Sequence, residues 1–194
     1  MNLSSPGHLR MSLAAAMTLG LAPGTFFRDA RLYCINLLLT YPEGCRGRCA
    51  YCGLAAGRAE PAAGGRSFIR VQWPIFPLEE VTRRIAERRE AIRRVCISMV
   101  TRRRAVTDTA AVCRRLRSAV DLPVSLLITP TLLQPGDLEE LKAAGADKVG
   151  VAVDLATAAL FERFRGAGVG GPHRWDAYWE CYGRALEVFG RGRA

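Results

Sequence analysis

With 194 residues, 49% of them apolar and 24% charged, the chain can build one domain with a substantial core and is too apolar to be disordered. Its net charge of +10 rests almost wholly on arginine, Lys142 and Lys148 being the only lysines. The arginines are dispersed and lack interleaved aromatics, which argues against a nucleic-acid interface and for solvated helix faces. Arg102, Arg103 and Arg104 are the one tight run, able to face an anionic ligand or a partner subunit. Seven cysteines, three of them within one short loop, exclude a disulfide framework and point to a reducing compartment with a metal site.

Residues 1–31 read as an N-terminal arm. Arg10 followed by an Ala- and Leu-rich run from Met11 to Leu21 has the outline of a signal peptide, but the run is too short to cross a membrane. A helix packed beside the main domain, in a cytoplasmic protein, is expected there. The main domain is expected over 32–194. It opens with Leu32–Thr40, a short apolar run suited to a buried parallel strand. A cysteine-containing loop follows, then a Gly/Ala/Pro-rich loop from Ala55 to Arg66. Leu78, Val81, Ile85 and Ile92 share a helical face, with Glu79 and Glu80 in the first turn. Val95–Thr101 reads as the next strand, 108–120 as helix and 123–129 as strand. Asp137 is placed to cap a helix that Gly145 ends. Lys148–Asp154 is a further strand, and a helix from Trp175 to Phe189 follows a Gly-rich loop.

Strand and helix thus alternate four times, which calls for a parallel sheet with outer helices. The spacing suits a barrel as well as a doubly wound sheet. In either, ligands gather at the C-terminal strand ends. The cysteine loop, Thr101 and Asp154 all fall at such ends. Four βα units do not close a barrel, so the chain is expected to be either part of a longer protein or a truncated form whose fourth strand is an exposed edge.

The loop itself reads Cys45-Arg-Gly-Arg-Cys49-Ala-Tyr-Cys52. Three thiolates at this spacing can turn onto one metal centre. Four-iron clusters usually take four cysteines, so a trio leaves one iron able to bind another ligand. The alternative is a structural zinc, which needs a fourth ligand. The only histidines, His8 and His173, lie in the arm and in a distant loop. Cys34, Cys96, Cys113 and Cys181 are expected to be small buried hydrophobes. His173, in Gly170-Gly-Pro-His-Arg-Trp175, sits either in a plain turn or in a loop that covers substrate. Asp154 suits the cap of a following helix.

The Cys-x3-Cys-x2-Cys run with Tyr51 just before its last cysteine, placed after the first strand, resembles the signature of the radical S-adenosylmethionine superfamily. The resemblance spans roughly residues 32–190. It implies a partial (β/α) barrel and a [4Fe–4S] cluster on Cys45, Cys49 and Cys52. The fourth iron would then chelate S-adenosylmethionine, whose reductive cleavage yields a 5′-deoxyadenosyl radical. It also implies an electron donor such as flavodoxin or ferredoxin. Within the superfamily the chain looks most like the biotin synthase and lipoyl synthase branch. Val95–Met99 is similar to that branch's cysteine-containing second strand, which implies a cofactor contact at Met99. Val151-Ala-Val-Asp154 is similar to its Asn-Leu-Asp segment, which implies that Asp154 binds the ribose and Tyr51 the adenine. The arm resembles that of lipoyl synthases that work as a pair of radical proteins, implying a second subunit. The chain departs from the pattern at Ala152, where the family has Asn, and at Ser125, where sulfur insertion by biotin synthase needs a cysteine.

Overall fold

The fold is described from a computed structural model covering residues 3–56 and 72–194; the loop expected over 55–66 falls largely outside the described residues. In chain order the elements are β1 (His8–Met11), α1 (Leu13–Thr18), β2 (Cys34–Leu39), β3 (Ile75–Pro77), α2 (Leu78–Glu87), β4 (Arg94–Ser98), α3 (Ala105–Ala119), β5 (Val124–Ile128), α4 (Asp137–Ala143), β6 (Lys148–Val151), α5 (Ala158–Phe164) and α6 (Trp175–Phe189). The strands form one six-stranded sheet in the order β3-β1-β2-β4-β5-β6. β2, β4, β5 and β6 run parallel, in the four-unit alternation that the sequence predicts. β3 and β6 are the two edges, so the described sheet is open rather than closed into a barrel.

The N-terminal segment differs from the expected helix. His8–Met11 is a strand, antiparallel to both β2 and β3, and only Leu13–Thr18 is helical. Leu9 and Met11 are fully buried and alternate with His8 and Arg10 on the other face, a period-2 pattern too short to stand out before an Ala-rich run. Each of those two side chains contributes about 1.5–3 kcal/mol of burial. The arm is thereby tied into the sheet. The Ser12 hydroxyl caps α1 by accepting from the Ala15 N–H at 3.2 Å.

The two faces of the parallel strands differ in chemistry. Ile35, Leu37, Val95, Ile97, Val124, Leu126 and Val149 are buried against α2, α3, α4 and α6, with Val81, Ile85, Val112, Leu116, Leu141 and Ala185 in the same core. The opposite face carries Cys34, Asn36, Arg94, Cys96 and Ser125, all half-buried. Cys34 and Cys96 therefore depart from the expectation of buried hydrophobes, which only Cys113 and Cys181 meet. Helices on one face and a polar row on the other suit a partial barrel better than a doubly wound sheet.

Local differences have local causes. α3 begins three residues before the expected start, because Asp108 lies inside the helix with its carboxylate accepting from the Tyr41 hydroxyl at 2.7 Å and from Arg104 at 3.2 Å. Gly136, not Asp137, is the cap residue of α4; the Asp137 carboxylate accepts from the Gln134 N–H at 2.7 Å. The outer edge of β6 is not bare, since the Val149 N–H donates to the Arg193 carbonyl at 2.8 Å.

Candidate functional site

The cysteine loop follows β2 at the C-terminal edge of the parallel strands. It is closed on itself by the Cys45 N–H donating to Leu54 O and the Ala56 N–H donating to Cys45 O, both at 2.7 Å. It is then hooked to the end of β4 in both directions. The Arg46 N–H donates to Thr101 O at 3.0 Å, and the Thr101 N–H donates to Cys45 Sγ at 3.2 Å. The Gly47 N–H also donates to Cys45 Sγ, at 3.3 Å. A third anchor joins the Ala50 N–H to the Phe164 carbonyl of α5 at 2.8 Å.

This close approach explains Gly47. A Cβ there would stand 2.8 Å from His173 Nε2, 3.1 Å from Thr101 Oγ1 and 3.2 Å from Cys45 Sγ. The next residue, Arg48, takes the left-handed backbone at φ 55°, a conformation that non-glycine residues rarely adopt. The loop's shape is therefore imposed by its neighbours as much as by its own sequence.

Cys45, Cys49, Tyr51, Cys52, Met99 and Asp154, the six residues that the sequence singles out, line one cavity of about 550 Å³ at the C-terminal strand ends. Its walls are largely apolar, with Leu54, Val100, Leu127 and Ile128 among them, and Ser98 and Thr129 add polar points. On the far side the Tyr51 hydroxyl donates to Asp154 Oδ2 at 3.0 Å. Asp154 is left-handed at φ 63°, which Asp tolerates better than most side chains. It does not cap the following helix; Thr157 does, accepting from the Leu160 N–H at 3.3 Å.

The sequence gives no sign of Arg165, which resembles any other arginine in an arginine-rich chain. It is 7% exposed at the end of α5 and organises one wall of the cavity. Its guanidinium pairs with Asp154 Oδ2 and donates to Ala152 O at 2.7 Å and Tyr178 Oη at 2.9 Å. It also lies 4.8 Å from the Tyr178 ring centroid. His173 is brought to the same cavity from the loop before α6. Its Nδ1 lies 2.7 Å from Thr131 Oγ1 and 3.1 Å from Tyr178 Oη, and its Nε2 lies 3.5 Å from Thr101 Oγ1. Burial, aided by the Arg165 charge, pushes the imidazole down to about 4, so it is neutral near pH 7. Burial pushes the Tyr178 hydroxyl up to about 12 against the pull of Arg165.

Among the described residues no three His, Cys, Asp or Glu side chains converge closely enough to hold a single ion, even with His173 beside the loop. Both nitrogens of His173 already face hydroxyl groups. His173 is thereby engaged with hydroxyl groups rather than offered as the fourth ligand that a structural zinc needs. A multi-iron cluster takes its thiolates on separate irons, and Cys45, Cys49 and Cys52 all line the one cavity. The Thr101 and Gly47 N–H groups that donate to Cys45 Sγ are of the kind that tune a cluster through hydrogen bonds to its sulfur ligands. At Cys49 burial raises the thiol pKa while Arg165 opposes the rise, so cluster assembly would have to drive off that proton.

A sequence model described as the Radical SAM superfamily matches residues 39–191, from the end of β2 to just past α6. No curated protein matches the chain.

Proposed function

Because the chain belongs to the radical SAM superfamily, we propose that it is an enzyme that holds a [4Fe–4S] cluster on Cys45, Cys49 and Cys52 and cleaves S-adenosylmethionine reductively. Cys45, Cys49 and Cys52 would hold the cluster, and the chemistry supplied there would be one-electron reductive cleavage of the sulfonium of S-adenosylmethionine for hydrogen abstraction. The chain's own groups bind, orient and exclude water. Tyr51 and Met99 offer surfaces for the adenine. Asp154 Oδ2 accepts from both Tyr51 and Arg165, leaving Oδ1 to accept from a ribose hydroxyl. The apolar wall around Leu127 and Ile128 keeps a reactive carbon away from water.

The observation that carries this reading is the meeting of the cysteine trio, Tyr51, Met99 and Asp154 in one cavity. It is tested by anaerobic reconstitution. The protein should take up about four iron and four sulfide per chain, turn brown, and form 5′-deoxyadenosine when reduced with S-adenosylmethionine. Cys49→Ala should lose the colour and the product together. A colourless protein with one zinc would refute the proposal, and a full cluster that yields no 5′-deoxyadenosine would make the chain a non-catalytic cluster carrier.

The finer proposal is hydrogen abstraction ahead of sulfur insertion, as in the biotin and lipoyl synthases, with a second radical S-adenosylmethionine subunit as partner. Cys96 and Ser125 are neighbours in register on the half-buried face of the sheet. In this proposal the sulfur source lies on the partner, since the third strand carries Ser125 where biotin synthase needs a cysteine.

A further inference from the structure

Five polar side chains join the walls of the cysteine cavity in one hydrogen-bonded row, from Asp154 through Arg165, Tyr178 and His173 to Thr101. His173 and Thr101 are 3% and 5% exposed, so their polar atoms depend on partners inside the protein. The row has a direction, set at its charged end. Arg165 can only donate, and its Nη2 gives a proton to Tyr178 Oη at 2.9 Å. The Tyr178 O–H is left to donate in turn, and His173 Nδ1 stands 3.1 Å away. A neutral imidazole carries a single N–H. The charge of Arg165 acts on this ring, and it favours a lone pair rather than an N–H on the nitrogen that faces the Arg165–Tyr178 pair. Nδ1 therefore accepts, with Thr131 Oγ1 as a second hydroxyl at 2.7 Å, and the ring proton sits on Nε2.

Nε2 faces Thr101 Oγ1 at 3.5 Å, a long contact that orients the hydroxyl more than it binds it. With a lone pair turned to the ring, the hydroxyl keeps its own proton for the cavity, which Thr101 lines. The cysteine loop stands there. A carbon added at Gly47 would lie 3.1 Å from Thr101 Oγ1 and 3.2 Å from Cys45 Sγ. The Thr101 N–H already donates to that sulfur at 3.2 Å.

We infer that Thr101 is a double donor, through its N–H and its hydroxyl, to the group held on the cysteine loop, with His173 and Tyr178 as positioning residues that fix which way the hydroxyl points. The identity of that group rests on the cluster reading given above. A thiolate-bound cluster gains negative charge on reduction, and donors beside its sulfur atoms stabilise that form and raise its potential.

Two measurements test this. The direction of the row is read on the cluster-free protein at neutral pH, by nitrogen NMR with isotope-labelled histidine. His8 and His173 are the only histidines, so the spectrum of His8→Gln assigns both rings. His173 should carry its proton on Nε2 and show a bare, hydrogen-bonded Nδ1, and Tyr178→Phe should weaken that hydrogen bond. A proton on Nδ1 overturns the inference. The second measurement is the reduction potential of the cluster after anaerobic reconstitution. Thr101→Val keeps the N–H and removes the hydroxyl, and should make the cluster about tenfold harder to reduce, which is about 59 mV more negative for one electron. Thr101→Ser should restore most of the loss, and Tyr178→Phe should fall between the two. Equal potentials for Thr101→Val and the natural sequence, or for Thr101→Val and Thr101→Ser, overturn the donor role. Failure of the cluster reading looks different, because no variant would then hold a cluster while the histidine spectrum still decides the direction of the row.

Discussion

Gly47→Ala is the sharpest perturbation of the cysteine loop. The added methyl carbon would meet His173 Nε2 at 2.8 Å, closer than carbon and nitrogen can approach, with Thr101 Oγ1 at 3.1 Å and Cys45 Sγ at 3.2 Å. The imidazole cannot swing away cheaply, because its other nitrogen is held within 2.7 Å of Thr131 Oγ1 and 3.1 Å of Tyr178 Oη. Overpacking of this kind costs about 1–3 kcal/mol. In a chain of this length about 2 kcal/mol lowers Tm by roughly 4–8 °C. Thermal unfolding of the cluster-free protein under reducing conditions measures it, alone and in a His173→Ala background. With the ring removed the methyl has room, and the cost of Gly47→Ala should fall by more than half, leaving only the milder contacts with Thr101 and Cys45. Because the loop must shift to admit the methyl, iron uptake on reconstitution should also fall and recover in part in the double variant. Equal costs in the two backgrounds, or no cost in either, would refute the packing of His173 on the loop.

Other substitutions probe the same wall. Gly171→Ala should cost more than Gly47→Ala, since its Cβ would stand 2.4 Å from Arg165 O and 2.8 Å from Gly47 O, and main chain yields less than a side chain; a smaller drop in Tm would contradict this. His173, held near 4 when folded against an ordinary value of 6.5, binds fewer protons than in the unfolded chain between those values. Its contribution is therefore complete above about pH 6.5 and is lost as the pH falls toward 4, by about 3 kcal/mol in all. Denaturant titrations across that range should show a flatter loss for His173→Gln, and parallel curves would sink the claim. Arg165→Met removes a guanidinium bound to Asp154, Ala152 and Tyr178; with the Asp154 side chain 41% exposed and open to water, a loss of about 1–2 kcal/mol is expected in urea rather than the full cost of breaking a buried pair. Asp154→Asn and Asp154→Ala both lose the charge that faces Arg165, and Asp154→Ala should lose about 1 kcal/mol more through its left-handed backbone. Both should weaken S-adenosylmethionine binding by equilibrium dialysis, and equal stability of the two would remove the backbone argument.

The parallel strands and α6 are legible because long apolar runs and a sustained helical period repeat the same message over many residues. β1 and β3 are not, being four and three residues long, with β1 masked by the Ala-rich helix that follows. The cysteine loop, Thr101 and Asp154 could be placed on one rim because strand ends are points that a sequence pattern locates, while Tyr51 and Met99 are singled out by the family resemblance. Arg165, Tyr178 and the Thr131 contact of His173 could not, because they meet only when α5 and α6 pack against the strand ends, and no local pattern encodes that meeting. The same holds for Asp154 itself. As a cap for the next helix it is a plausible reading of Asp-Leu-Ala-Thr, but the hydroxyl that reaches the helix belongs to Thr157, leaving the Asp154 carboxylate to Tyr51 and Arg165.

The geometry of the thiols is accordingly a property of the whole strand edge. Cys45 Sγ is fixed by an N–H from Thr101, 56 residues later, and Gly47 is confined by His173 and Gly171. Cys49 sits where the charge of Arg165 partly offsets the burial that raises its thiol pKa. Thr101, Arg165 and His173 all come from segments that a short metal-binding motif would not need. A loop that only held iron could be built from its own backbone. Here the sulfur of Cys45, the glycine and the neighbouring carboxylate are each positioned by different elements. The cavity that those same elements enclose is apolar on one wall and carries Asp154 on another, and under the proposed function it is the site for S-adenosylmethionine.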